Sequence, residues 1–257
     1  MLFRSILSAT PEAICALLAL AGYLLAMAPS ADGHRWPNQA LTAAWLLHAL
    51  VLLVSAGVLG GDAAQGLRLG FSPALSLTVW LVLLVYGVES HFVPVGNVRR
   101  VLALCGAAAV LLAWLYPGEV RAIAHSRWAP LHWVLGLTSY GLFGAAVVHA
   151  LMLDSADQQL RSRQPGQHVA FGMPLLRLER LMFRFVEGGF AVLTLALAFG
   201  LAEPNWSWSD RKTVLSLLGW ATFAALIGGR MARGWRGPQA TRWLYAGTLL
   251  LLLAYVG

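Results

Sequence analysis

Eight apolar segments divide this chain, at about residues 10–28, 40–60, 71–88, 98–116, 131–153, 185–202, 213–229 and 240–257. Each approaches the ~17–25 residues that a helix needs to cross a hydrocarbon layer about 30 Å thick. A backbone inside lipid must satisfy its own N–H and C=O groups, and open segments do so only as helices. The expected fold is therefore all-α, a polytopic membrane helical bundle of about eight transmembrane helices. With 59% hydrophobic residues, 11% charged residues and a mean hydropathy of +0.69, an ordinary soluble domain is excluded. No extended soluble region interrupts the segments, so residues 1–257 read as a single transmembrane domain. No internal repeat of the inverted-transporter kind is visible.

The net charge of +7 does not point to nucleic acid, because there is no basic stripe. Instead the cations sit between apolar segments, where they set topology. Of the 18 Lys and Arg, twelve flank the loops after spans one, three, five and seven. Six lie on the opposite side: Arg4, Arg68, Arg121, Arg127, Arg211 and Lys212. This asymmetry predicts both termini on the outer, periplasmic side. Arg4 before an apolar run imitates a signal peptide, but Thr10-Pro11-Glu12 has the pattern of a helix start and predicts a retained first span. The two cysteines, Cys15 and Cys105, form neither a CxxC pair nor a CxxCH haem-attachment site.

The longest connection, 154–184, is expected on the cytoplasmic side. Its first part is polar and turn-rich. The second, Pro174 to Arg184, carries Leu175, Leu178 and Met182 on one helical face and Arg177, Arg180 and Arg184 on another. It predicts an interfacial amphipathic helix feeding span six, with a topology-setting linker as the simpler reading.

Ionisable groups inside spans are costly and are candidates by default. His48 lies mid-span two, with Trp45, Leu52 and Ser55 on its face. His132 opens span five, and Gly136, Ser139 and Phe143 lie near its stripe, leaving room for a flat ligand or a packed helix. His91 and His149 lie near inner span ends. About 26 Å of helix separates His132 from His149, too far for one site. For each, the alternative is an interfacial or hydrogen-bonded core histidine. A neutral imidazole at His132 has the chemistry of an axial ligand to haem iron. His34, His125 and His168 fall in loops. Between spans six and seven, Trp206-Ser207-Trp208-Ser209-Asp210-Arg211-Lys212 offers flat rings beside two cations. The same residues also suit an aromatic-belt anchor, with Asp210 capping span seven. No nucleotide-binding glycine loop, HExxH pair or nucleophile elbow is present.

Several of these motifs occur together in one order. Pro130-Leu131-His132 with Ser139-Tyr140 resembles the histidine helix of the cytochrome c assembly protein family, the CcsA-like, HemX-like and YpjD-like membrane proteins that handle haem. Met173-Pro174-Leu175-Leu176, Glu179-Arg180 and Met182-Phe183 are similar to that family's entry to the next helix. Gly189-Phe190, Leu193-Thr194-Leu195 and Gly200 resemble its GF…LTL…G helix. Trp206-Ser207-Trp208 with Asp210 and Lys212-Thr213 resembles a short version of its tryptophan-rich, haem-presenting loop. Gly234-Trp235-Arg236-Gly237 and the ending Leu253-Ala254-Tyr255-Val256-Gly257 match the short YpjD-like members best. The likeness is clear over 130–257, while the first half agrees in span pattern and in His48.

The resemblance implies a haem-binding or haem-handling protein of the bacterial inner membrane with a role in cytochrome c assembly. His132 and His48 would be the iron ligands, Trp206 and Trp208 would flank the porphyrin, and Arg211 and Lys212 would pair with its propionates. Partners would be the lipid bilayer and other assembly components or apocytochrome. Family members with synthase activity carry a second outer histidine after the last matched helix, and none precedes Gly257. The expectation is therefore a haem-handling or accessory role and not an enzyme. A haem-free scaffold with the same fold, or a small-solute transporter, are the alternatives.

Overall fold

A computed structural model describes residues 10–29, 36–56, 67–90, 96–121, 129–161, 175–202 and 207–256. The chain divides into two compact units, Met1–Ile123 and Ala124–Gly257.

The first unit holds α1 (Pro11–Ala26), α2 (Trp36–Ser55), α3 (Phe71–Ser90) and α4 (Gly96–Leu115). Thr10 caps α1 by accepting from the Ala13 N–H at 3.3 Å, with Pro11 at the first helical position. The buried stripe of α1 is Ala13, Ala16, Ala19, Tyr23 and Ala26. Its small residues let backbones approach closely, as lipid-embedded packing favours. A Cβ on Gly22 would stand 2.9 Å from the Ala44 Cβ of α2, and one on Gly106 of α4 only 2.6 Å from the Tyr23 ring. Trp45 and Trp80 clasp α2 to α3. Each indole N–H donates to the other residue's carbonyl, at 3.2 and 3.1 Å, and the rings stack 4.8 Å apart. Arg99 of α4 is 3% exposed and donates to the Ala28 carbonyl just beyond α1, the position where a helix end favours a cation. These pairings run antiparallel between successive helices and between α4 and α1.

Among the described residues of this unit, the departure from helix is a short antiparallel ladder. Strands β1 (Leu67–Leu69) and β2 (Glu119–Arg121) pair Leu67 with Arg121, Arg68 with Val120 and Leu69 with Glu119. Three residues are too few to show an alternating pattern in sequence.

The second unit is an up-and-down bundle of α5 (Ala129–Arg161), α6 (Leu175–Leu201), α7 (Arg211–Arg233) and α8 (Gly237–Val256). Its centre is a layered stack. Phe143 of α5 and Phe223 of α7, both fully buried, lie face to face at 3.9 Å with their planes 7° apart. Gly189 of α6 backs Phe143, and Gly247 of α8 backs Phe223, each leaving less than 3 Å for an added Cβ. Asp154 of α5 accepts from the hydroxyls of Thr241 and Tyr245 of α8 at 3.1 and 2.8 Å. At the same end of the bundle Arg230 covers the Phe183 ring at 3.6 Å and pairs with Glu187 at 3.7 Å. Gly234, in the left-handed conformation, closes α7 with its N–H on the Arg230 carbonyl.

Six described helices are long and apolar enough to cross a membrane: α2 to α7. At 16 residues α1 is a shorter apolar helix, and α8, with Gln239 and Arg242 in its first turns, falls outside that set. The chain is a polytopic helical membrane protein, as its hydropathy indicated. The amphipathic stretch expected to feed span six is helical. It continues without a break from Leu175 into the span, because nothing between Arg184 and Val186 interrupts a helix and Gly188-Gly189 are held helical against α5. Residues 162–174 of that connection lie outside the described residues. At 33 residues, α5 is about 50 Å long, so the α5–α6 hairpin extends beyond a ~30 Å hydrocarbon layer.

Candidate functional site: a tethered histidine at the His132 end of the second unit

His132 lies in the first turn of α5, half-buried. Its Nδ1 is 2.7 Å from the carbonyl oxygen of Ala196, near the C-terminal end of α6. A carbonyl only accepts, so Nδ1 carries the proton and donates. In a neutral ring Nε2 is then the lone-pair atom. No hydrogen-bond partner for Nε2 is found among the described residues. One turn on, a Cβ built on Gly136 would meet nothing within 4 Å among the described residues, so that position of α5 is not packed against a neighbouring helix. Ser139 and Phe143, further along the stripe, are fully buried. The expected face thus splits: its beginning is unpacked, and the rest is packed core.

The antiparallel run of α5 and α6 brings the start of α5, the end of α6 and the start of α7 to one end of this unit. Trp208, Arg211 and Lys212 belong to that end and are exposed. Trp206 lies outside the described residues. Asp210 occupies the N-cap position of α7, yet its side chain makes no capping bond. The loop is closed by a turn between the Asp210 N–H and the Ser207 carbonyl. Nearby, Trp220 donates to Thr194 at 2.9 Å and stacks on Phe190, which ties the GF…LTL helix to α7.

His48 sits in a different setting, in the first unit. It is fully buried, with Nδ1 2.9 Å from the Tyr23 hydroxyl and Nε2 2.7 Å from the Ser76 hydroxyl. One ring thereby links α1, α2 and α3, and both its nitrogens are engaged. Sequence reading singled out the histidine but not its partners. Their only signal is that Tyr23 and Ser76 are polar residues deep in apolar spans. His149 is buried, donates to the Ala145 carbonyl at 2.8 Å and lies against Phe185. His34, His91, His125 and His168 are outside the described residues. Among the described residues, no group of three or more His, Cys, Asp or Glu could hold a metal ion. A single histidine ligating a group that brings its own iron needs no such cluster.

Together these features define a class: an integral membrane helical protein that presents one oriented imidazole at an end of a four-helix bundle. The sequence matches the cytochrome c assembly protein family over residues 36–257, and the chain belongs to that family. A role in cytochrome c biogenesis follows from that membership. The chain is 29% identical to the inner membrane protein YpjD of Escherichia coli over 95% of its own length and 96% of the relative's. It is 30% identical to an uncharacterized 28.8 kDa protein of Azospirillum brasilense, over 61% of this chain and 59% of that one. It is also 31% identical to the cytochrome c biogenesis protein CcsA of Prochlorococcus marinus, over 42% of this chain and 34% of that protein. No solved structure matches. The protein is a multi-pass protein of the bacterial inner membrane.

Proposed function

We propose that the chain binds haem through His132 Nε2 and handles it during cytochrome c assembly. The observation that carries this reading is the Nδ1–Ala196 bond. Histidines that ligate metal characteristically donate their other ring N–H to a carbonyl or carboxylate, which fixes the tautomer and aims the lone pair. The unpacked position at Gly136 supports room for a flat ring beside it. Trp206 and Trp208 would offer stacking surface, and Arg211 and Lys212 would pair with propionates through charge-assisted hydrogen bonds. Haem, as cargo, supplies the iron; the protein supplies one axial ligand and the flanking contacts. By the arginine asymmetry this end faces the periplasm, where apocytochrome and other assembly components would meet it.

His48 would reach iron only by giving up Tyr23 or Ser76, so it serves as a link between helices in this reading. The experiment is the visible spectrum of protein purified from haem-replete cells. Wild type should show a Soret band, and His132→Ala should lose most of it while His48→Ala, if it folds, keeps it. Equal haem content in wild type and His132→Ala sinks the proposal and favours a haem-free scaffold.

A further inference from the structure

The first part of α6 lies at the end of the second unit opposite His132. At 100° per residue, Leu176, Arg180, Arg184, Arg177 and Leu181 fall within an arc of roughly 140°. The remaining arc holds Leu178, Met182, Phe183 and Val186, all completely buried in the unit, together with Glu179, one of whose carboxylate oxygens is buried away from the arginine strip. The five residues of the first arc line an open groove of about 530 Å³ whose walls are almost wholly apolar, the arginines contributing mainly their aliphatic stems, so that charged heads belong to its rim. All three arginines are exposed, and Leu176 between them is 67% exposed. A large apolar side chain set among cations is unfavourable against water alone. The pattern instead suits the boundary between headgroups and acyl chains, where leucine enters the acyl region and guanidinium meets phosphate. The acid further along this arc, Glu187, is already paired with Arg230. Arg180 and its neighbours one turn on either side therefore present net positive charge in a strip that continues directly into a membrane-crossing helix.

We propose that this groove is a binding site for an anionic phospholipid, with Leu176, Leu181 and the arginine stems meeting the first acyl methylenes and the guanidinium groups of Arg177, Arg180 and Arg184 holding the headgroup phosphate at the rim. Charge complementarity selects the occupant: three fork-shaped donors match phosphate oxygens, and the apolar pair matches a lipid rather than a free ion. This goes beyond a topology signal, because it requires a defined site with a headgroup preference. It does not depend on haem binding.

The test is titration of the purified full chain in nonionic detergent with phosphatidylglycerol or phosphatidylcholine of identical acyl chains, read as bound lipid by native mass spectrometry. Each basic residue near an anionic surface contributes about 1 kcal/mol, so three correspond to a preference for phosphatidylglycerol on the order of a hundredfold. The combined Arg177→Gln, Arg180→Gln and Arg184→Gln variant should bind both lipids alike. The matching Arg→Lys triple should retain most of the preference and reports on folding independently. A control triple, Arg233→Gln, Arg236→Gln and Arg242→Gln, removes equal charge elsewhere in the unit and should keep the preference. The proposal is overturned if the first triple still prefers phosphatidylglycerol, or if the control triple loses the preference equally.

Discussion

Replacing Gly189 by alanine tests the packing at the centre of the second unit. A Cβ there would lie 2.9 Å from one Phe143 ring carbon and 3.1 Å from two others. Carbon atoms pack best at ~3.5–4.0 Å, so the ring would have to retreat by roughly 0.5–1 Å. Phe223 stacks behind it at 3.9 Å, and Phe223 in turn rests on Gly247, so there is no slack in that direction. Overpacking of this kind costs ~1–3 kcal/mol. Alanine in a helix also gains about 1 kcal/mol over glycine, which would partly conceal the clash. Gly228→Ala is therefore the right comparison, since its Cβ meets nothing within 4 Å and it gains the same propensity term. Thermal unfolding of both variants in detergent should place Gly189→Ala below Gly228→Ala by roughly 2–4 °C for each kcal/mol of clash. The Gly189→Ala/Gly247→Ala double variant compresses one stack from both sides. It should deviate from additivity by at least ~0.5 kcal/mol. Coincident melting of the two single variants, or an additive double, would refute the claim that the four layers are in tight contact.

Three further outcomes follow from the buried polar groups. Tyr23→Phe removes the partner of His48 Nδ1 and should lower stability by ~1–3 kcal/mol, and Ser76→Ala should do the same at Nε2; a double-mutant cycle read by thermal unfolding should show the two coupled through the one ring. Asp154→Ala strands the hydroxyls of Thr241 and Tyr245 and should cost about as much, whereas Asp154→Asn keeps an acceptor and should cost less in the same assay. Trp45→Phe removes one of two reciprocal indole bonds, and the Trp45→Phe/Trp80→Phe pair should be less destabilising than the sum of the singles, because the clasp is one interaction unit.

The helices were legible because each is written as a contiguous apolar run, and hydropathy needs no knowledge of neighbours. The start of α1 was legible for a local reason as well, since Thr10-Pro11-Glu12 carries its own cap. What stayed hidden depends on partners distant in sequence. Tyr23 and Ser76 stand 25 and 28 residues from His48, and nothing in their spacing points to one ring. The acceptor for His132 is a backbone carbonyl 64 residues away, which has no identity in a sequence at all. The stretch before span six is legible as a helix from its amphipathic spacing, and it runs on into the span because the backbone has no reason to break there. By contrast, Phe143 reads as part of a face for either a flat ligand or a packed helix, and only the contacts of Gly189 and Phe223 decide for packed helices.

An unbroken helix is also a ruler. Twelve residues separate Arg184 from Ala196, roughly 18 Å at helical rise. Because no hinge lies between them, the depth at which the arginine strip settles in one leaflet sets the height of the carbonyl that steers His132. A shift of α6 along its axis relative to α5 cannot be absorbed locally. It must either break the Nδ1 bond or carry the imidazole with it. The position of one side chain is thus gauged from a point roughly 18 Å further down its neighbouring helix.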